Sequence, residues 1–120
     1  MTQLAKYFEQ HLRCKFPLKK FKVIFEYNDQ ERIRIEHRNI DVWGFVSIVK
    51  YNVNIQVATG RDHTSYLRTI AHEYKHVIQR QEGKWKSKGL SPVIGPLETE
   101  ANNFAIVEVH KYLEMLSAYK

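Results

Sequence analysis

Cysteine is almost missing from this chain of 120 residues, where Cys14 stands alone. A lone thiol cannot form an internal disulfide, so a packed core must hold the fold, and a reducing compartment is expected. The same scarcity excludes every cysteine-based zinc finger. Long apolar runs are also lacking: nothing approaches the roughly eighteen residues of a transmembrane helix, so no membrane association is expected. The opening stretch MTQLAKYFEQHLRCKF has neither the apolar centre nor the cleavage site of a signal peptide. These absences point to the cytoplasm, the host's if the gene is viral. There is no internal repeat, no low-complexity tract and no dense block of one charge. Glycine and proline are sparse, five and three in all, and three of those glycines and two of those prolines fall within 83–96, which reads as a loop.

What remains is an ordinary globular composition, 43% hydrophobic and 27% charged. A chain of this length can bury a core of its own, so one domain spanning 1–120 is expected. The net charge of +6 permits weak attraction to nucleic acid or to acidic partners. The basic residues are scattered, however, as on a solvated surface. Leu4, Tyr7, Phe8 and Leu12 recur at helical spacing and predict a helix over 3–14, ahead of Pro17. Phe21, Val23, Phe25 and Tyr27 alternate with mostly polar neighbours and predict a strand over 20–27. Ile33 and Ile35 predict a second over 32–38, the β-rich run 42–51 a third, and Ile55 to Ala58 a short fourth after a turn near 51–54. A long helix over 64–82 stops at Gly83, and a last helix fills 97–118. Helix, four strands, helix, loop and helix make an α+β domain.

Residues 72–76 read His-Glu-Tyr-Lys-His. Four residues apart on a helix, His72 and His76 project from one face one turn apart, which suits two ligands of a single tetrahedral zinc. Glu73, beside the first histidine, can take a proton from a water on the metal without ligating it. Around the helix axis Leu67, Ile70, Ala71, Tyr74, Val77 and Ile78 gather on one side, while His72, Glu73 and His76 gather nearly opposite with Thr69 and Arg80. The expectation is a helix packed on a sheet by one face and presenting its histidines from the other.

A catalytic zinc usually has three protein ligands and one open position. In the last helix Ala105, Ile106, Val109, Tyr112, Leu113 and Leu116 form an apolar stripe, and Glu98 and Asn102 fall on it. A carboxylate on a core-facing stripe needs a partner, and a metal is one. Glu98 is therefore the expected third ligand, with Asn102 hydrogen-bonding a ligand histidine from behind, whereas Glu100 falls on the opposite side and is expected in solvent.

With HEYKH and PLETEANNFA in view, the chain resembles the gluzincin metallopeptidases, and within them the ImmA/IrrE-type family and the short minigluzincins. In these, two helix histidines and a downstream glutamate bind one zinc ion, and the glutamate opens a helix of the form Glu-x-x-Ala-Asn-x-Phe-Ala. The matching residues here run from Glu98 to Ala105, and the likeness covers about 66–107. It implies a zincin-like fold, His72, His76 and Glu98 as ligands, Glu73 as catalytic base, and a protein or peptide substrate added as an antiparallel strand to an edge from 42–51 or 53–58. Lys75 departs from the usual motif, which has a small or uncharged residue there, and its ammonium either crowds the site or extends to solvent. His63, Tyr66, His110 and Tyr112 are the candidates for stabilising an oxyanion. Peptide deformylases share the histidine motif but need an upstream cysteine in a glycine-rich setting, which Cys14 does not have. The reading from a different class is a non-catalytic zincin-fold protein that contacts nucleic acid or a protein partner through its basic surface.

Overall fold

The structure is a computed structural model that describes residues 2–85 and 95–118. Most of the predicted 83–96 loop lies outside the described residues. The first helix, α1, runs Thr2–Lys15 and buries Ala5, Phe8 and Leu12, while Tyr7 points outward. Five strands follow: β1 (Lys22–Asn28), β2 (Ile33–Ile35), β3 (Ile40–Val42), β4 (Gly44–Val49) and β5 (Asn52–Ala58). The second helix, α2, spans His63–Gln81, and the third, α3, spans Pro96–Ser117. The result is an α+β fold with a small mixed sheet. No helix among the described residues is long and apolar enough to cross a membrane.

Among the described residues the four expected strands become five in two sheets. Strand 32–38 is cut short because Glu36–Arg38 tighten into a 3-10 turn and Asn39, at φ 53°, reverses the chain. Asparagine tolerates that left-handed conformation better than most residues. The run 42–51 is divided at Trp43. Ile40–Val42 returns antiparallel along β2, whereas Gly44–Val49 joins β5. The turn expected at 51–54 falls earlier, at Lys50 (φ 57°) and Tyr51, so β5 begins at Asn52 and is longer than predicted.

In the main sheet β5 lies in the centre, parallel to β1 and antiparallel to β4. Its alternate residues Val53, Ile55 and Val57 are buried, and their cross-strand partners include Val23 on β1 and Val46 on β4. This apolar face meets Phe8 and Leu12 of α1 and Leu67, Ile70, Tyr74 and Val77 of α2 in one core. The Tyr74 hydroxyl donates to the Phe16 carbonyl at 2.5 Å and ties the middle of α2 to the end of α1. Burial pushes its pKa up to about 12.

The helix ends follow local chemistry. Asp62 caps α2, accepting from the Ser65 backbone N–H at 3.1 Å and from its hydroxyl at 2.7 Å. Gly83, at φ 79°, ends that helix as expected. Pro96 occupies the first turn of α3, where a missing N–H does no harm.

Candidate metal centre

The apolar side of α2 packs on the sheet as the sequence predicts, but its second side is not open. Thr69, Glu73, His76 and Gln79 are buried, His76 and Gln79 completely. Two elements cover them. One is α3, lying along α2, and the other is the start of β4. A Cβ on Gly44 would sit 2.6 Å from Thr69 Cγ2, 2.9 Å from the Gln56 carbonyl oxygen and 3.3 Å from Glu73 Cγ. Only a residue without a side chain lets β4 approach α2 so closely. The face expected to present its histidines outward instead forms the wall of an internal site.

At that site the predicted ligand atoms converge. His72 Nε2 lies 3.2 Å from His76 Nε2, and each lies 3.0 Å from Glu98 Oε1. This triangle is close enough to hold a metal ion. The Glu73 carboxylate stands slightly outside it, 3.9 Å from His72 Nε2. Asn102, one turn beyond Glu98, hydrogen-bonds with the His72 ring. The groups also shift one another. Burial works to lower the His72 pKa, but its hydrogen bond to Glu98 and the charges of Glu73 and Glu98 outweigh it and raise it. Burial works to raise the Glu98 pKa, and the two imidazoles overcome this and bring it down to about 2.

Gln79, which the sequence pattern did not single out, and Glu100 complete the support. Gln79, one turn after His76, faces His76 Nδ1 with Oε1 at 2.7 Å. Its Nε2 donates to the Leu97 carbonyl and to Glu100 Oε1, both at 2.9 Å. These acceptors dictate which way the amide points, so Oε1 must accept from His76. Nδ1 then carries the proton, and Nε2 turns a bare lone pair toward His72 and Glu98. Glu100 keeps a largely exposed side chain, as expected, but is not idle in solvent. It holds the Gln79 amide and also meets Lys84 at 3.4 Å. The signal for Gln79 was available, since it shares the helix face of His72 and His76 and follows His76 by three residues. Nothing in the sequence pattern marks Glu100, because its partner sits on another helix.

The stripe on α3 also differs in part. Ala101, Ala105, Glu108, Val109 and Tyr112 are buried, while Ile106 and Leu116 are exposed. Glu108 sits on that buried side because Lys15 reaches it at 2.8 Å. The Lys75 ammonium lies 5.1 Å from the centre of the Phe104 ring and is not among the residues lining the cavity at the histidines, so it neither crowds that opening nor simply extends into water.

A cavity of about 860 Å³ opens in front of the triangle. His72, Glu73, Glu98 and Asn102 line it, with Gly44 and Phe45 of β4 along one side. None of the four candidates for stabilising an oxyanion is among the residues lining it. Tyr112 packs against Phe8 and His11, Tyr66 is buried, and His110 is paired on the surface with Glu114. His63 opens α2 and is exposed.

No family model matches the chain, and neither a curated protein nor a solved structure matches it.

Proposed function

We propose that this chain is a zinc-dependent metallopeptidase of zincin-like fold and gluzincin type, with His72, His76 and Glu98 as the zinc ligands and Glu73 as general base. The observation that carries the reading is the triangle of donor atoms, 3.0 to 3.2 Å on a side. A tetrahedral zinc with bonds of about 2.0–2.1 Å spaces its ligand atoms roughly 3.3 Å apart. Two neutral imidazoles facing a carboxylate at these distances call for a proton or a cation between them. The hydrogen bond from His76 Nδ1 to Gln79 favours the cation, since it leaves His76 Nε2 as an acceptor. When bound, zinc supplies a Lewis acid that lowers the pKa of a coordinated water toward about 7 and polarises a carbonyl.

The chain's own groups do the rest. Glu73, held at the rim of the triangle, takes the proton of the attacking water and returns it to the leaving amine. Asn102 and Gln79 fix the orientation of the two imidazoles. The substrate lies along β4. Among the described residues this strand is bonded to β5 on one side only, and its other edge at Gly44 and Phe45 borders the cavity. An extended peptide can add there as a further strand. The other edge named from sequence, 53–58, is occupied on both sides by β1 and β4.

The test joins metal analysis to cleavage. Purified protein is expected to hold about one equivalent of zinc, which His76→Ala loses. Glu73→Gln should keep the zinc and lose hydrolysis of a peptide library by at least about 100-fold, the usual size of a general-base contribution. A wild-type protein that binds no zinc, or a Glu73→Gln variant that cleaves as well as wild type, defeats the proposal. Salt-sensitive nucleic-acid binding without zinc would then favour the non-catalytic reading.

A further inference from the structure

Among the described residues four arginines, Arg32, Arg38, Arg61 and Arg68, line the cavity in front of His72, and no lysine does. They come from three places in the chain. Arg32 and Arg38 flank β2, Arg61 precedes α2, and Arg68 sits on α2 one turn before His72. The carboxylates sharing the cavity are Asp41, Glu73 and Glu98. Glu73 and Glu98 belong to the metal triangle and its rim, and Asp41 is taken by Arg34 at 3.5 Å. Among the described residues no carboxylate forms an ion pair with Arg32, Arg38 or Arg68. The cavity thus collects more positive charge than it neutralises.

Arg61 is the best anchored of the four. Its guanidinium lies 4.1 Å from the centre of the Trp43 ring, and Nη1 donates to Thr69 Oγ1 at 3.1 Å. Stacking on one face and a hydrogen bond at one nitrogen leave other N–H groups free to turn into the cavity. Asp62 and Glu31 attract it and Arg32 repels it. A guanidinium already oriented by stacking and one hydrogen bond needs little further ordering to take an incoming carboxylate. Arg68 adds a second cation close to the reacting bond. Residues four apart on a helix hold their Cβ atoms about 5–6 Å apart, and an extended peptide advances about 3.4 Å per residue. A side chain within about two residues of the bond positioned at His72 therefore passes Arg68.

Resting on the peptidase reading above, we propose that the site selects peptides carrying Asp or Glu within about two residues of the cleaved bond, with Arg61 and Arg68 binding that carboxylate. The β4 edge favours a peptide over a nucleic acid, because it offers backbone hydrogen bonds to an extended chain inside the same cavity. A volume of about 860 Å³ also fits a few side chains rather than a duplex.

The experiment uses the full zinc-loaded chain on a proteome-derived peptide library, with cleavage sites read by mass spectrometry. Asp and Glu are expected to be enriched severalfold at one or two positions beside the cut. Synthetic peptides differing only by Glu or Gln at the preferred position should differ in kcat/KM on the order of tenfold, about what one charge-assisted hydrogen bond supplies. In Arg61→Gln/Arg68→Gln that ratio should fall toward one at unchanged zinc content. The single variant Arg68→Glu, at an exposed position, should invert it even if the Arg61 change disturbs folding. Cleavage without acidic enrichment overturns the inference and leaves the peptidase standing. So does an equal loss on the Glu and Gln peptides, which would make the arginines general stabilisers of the reaction. Single-stranded DNA binding abolished by the double variant, together with neutral cleavage sites, assigns the cleft to nucleic acid and also overturns it. If the wild type cleaves nothing, or if Glu73→Gln cleaves equally, the peptidase reading fails and this inference falls with it.

Discussion

Gln79 is the side chain on which the geometry of His76 depends. It is fully buried, and its amide bridges the His76 ring on α2 to the Leu97 carbonyl and Glu100 on α3. Gln79→Leu keeps most of the volume and leaves His76 Nδ1–H without its acceptor. Zinc affinity is expected to weaken about 10–100-fold, as when such outer partners of a ligand histidine are removed. Competition against a chromophoric chelator measures this. Glu100→Ala should weaken affinity less, because the Leu97 carbonyl still orients the amide. A larger loss in Glu100→Ala than in Gln79→Leu would refute this order. At this scale the meeting of His72, His76 and Glu98 was legible from the helix faces and Gln79 was within reach, while the bond between Gln79 and Glu100 was not, because a helical wheel shows the face of one helix and not what leans across to it.

The long helix α2 is sandwiched rather than laid on a surface. One side meets β5 and α1, and the other meets α3 and the first residue of β4. Gly44→Ala forces a methyl group against Thr69 and the Gln56 carbonyl, and overpacking of this kind typically costs about 1–3 kcal/mol. Urea unfolding is expected to show a lower midpoint with an unchanged slope, and a midpoint equal to wild type would count against so tight a contact. The start of α2 gives a pH signature. The Ser65 hydroxyl first, and the Ser65 N–H second, hold the Asp62 carboxyl below its ordinary 3.8. The folded-state pKa lies below the unfolded one, so this cap stabilises the fold above that value and is lost as pH falls through the depressed one. Asp62→Ala should lower Tm near neutrality and flatten the acid-side decline of Tm relative to wild type. Parallel Tm curves for the two proteins would show that the cap contributes nothing.

Across the whole molecule the centre joins elements that the chain keeps apart. His76 and Glu98 are separated by 22 positions and belong to different helices, yet both supply atoms to one triangle. An ion bound there ties α2 to α3 and must stabilise the folded state. At a free concentration about 100 times its Kd, the gain is roughly 2.7 kcal/mol. Thermal unfolding should therefore shift upward with added zinc and downward with a chelator, and His76→Ala should respond to neither. The shift should shrink as pH falls, because the imidazoles must shed their protons to bind metal. A zinc response that survives in His76→Ala would place the ion elsewhere.

The sequence by itself determined the α+β class, the three helices within a residue or two, and the meeting of His72, His76 and Glu98. These rest on local periodicity and on the cost of burying a carboxylate without a partner, both of which act within a single element. Only the tertiary structure decided the rest. The β-rich run 42–51 breaks at Trp43 because Val42 is hydrogen-bonded into the pairing with β2 and Gly44–Val49 into the pairing with β5. The polar face of α2 becomes an interior wall because α3 and Gly44 close over it. Lys75 turns to Phe104, and Glu100 to Gln79, because a side chain's partner is set by the element packed against it. The cavity's arginines, scattered along the chain as if on a solvated surface, acquire a common direction only when the turn after β2 and the start of α2 are brought to the same opening.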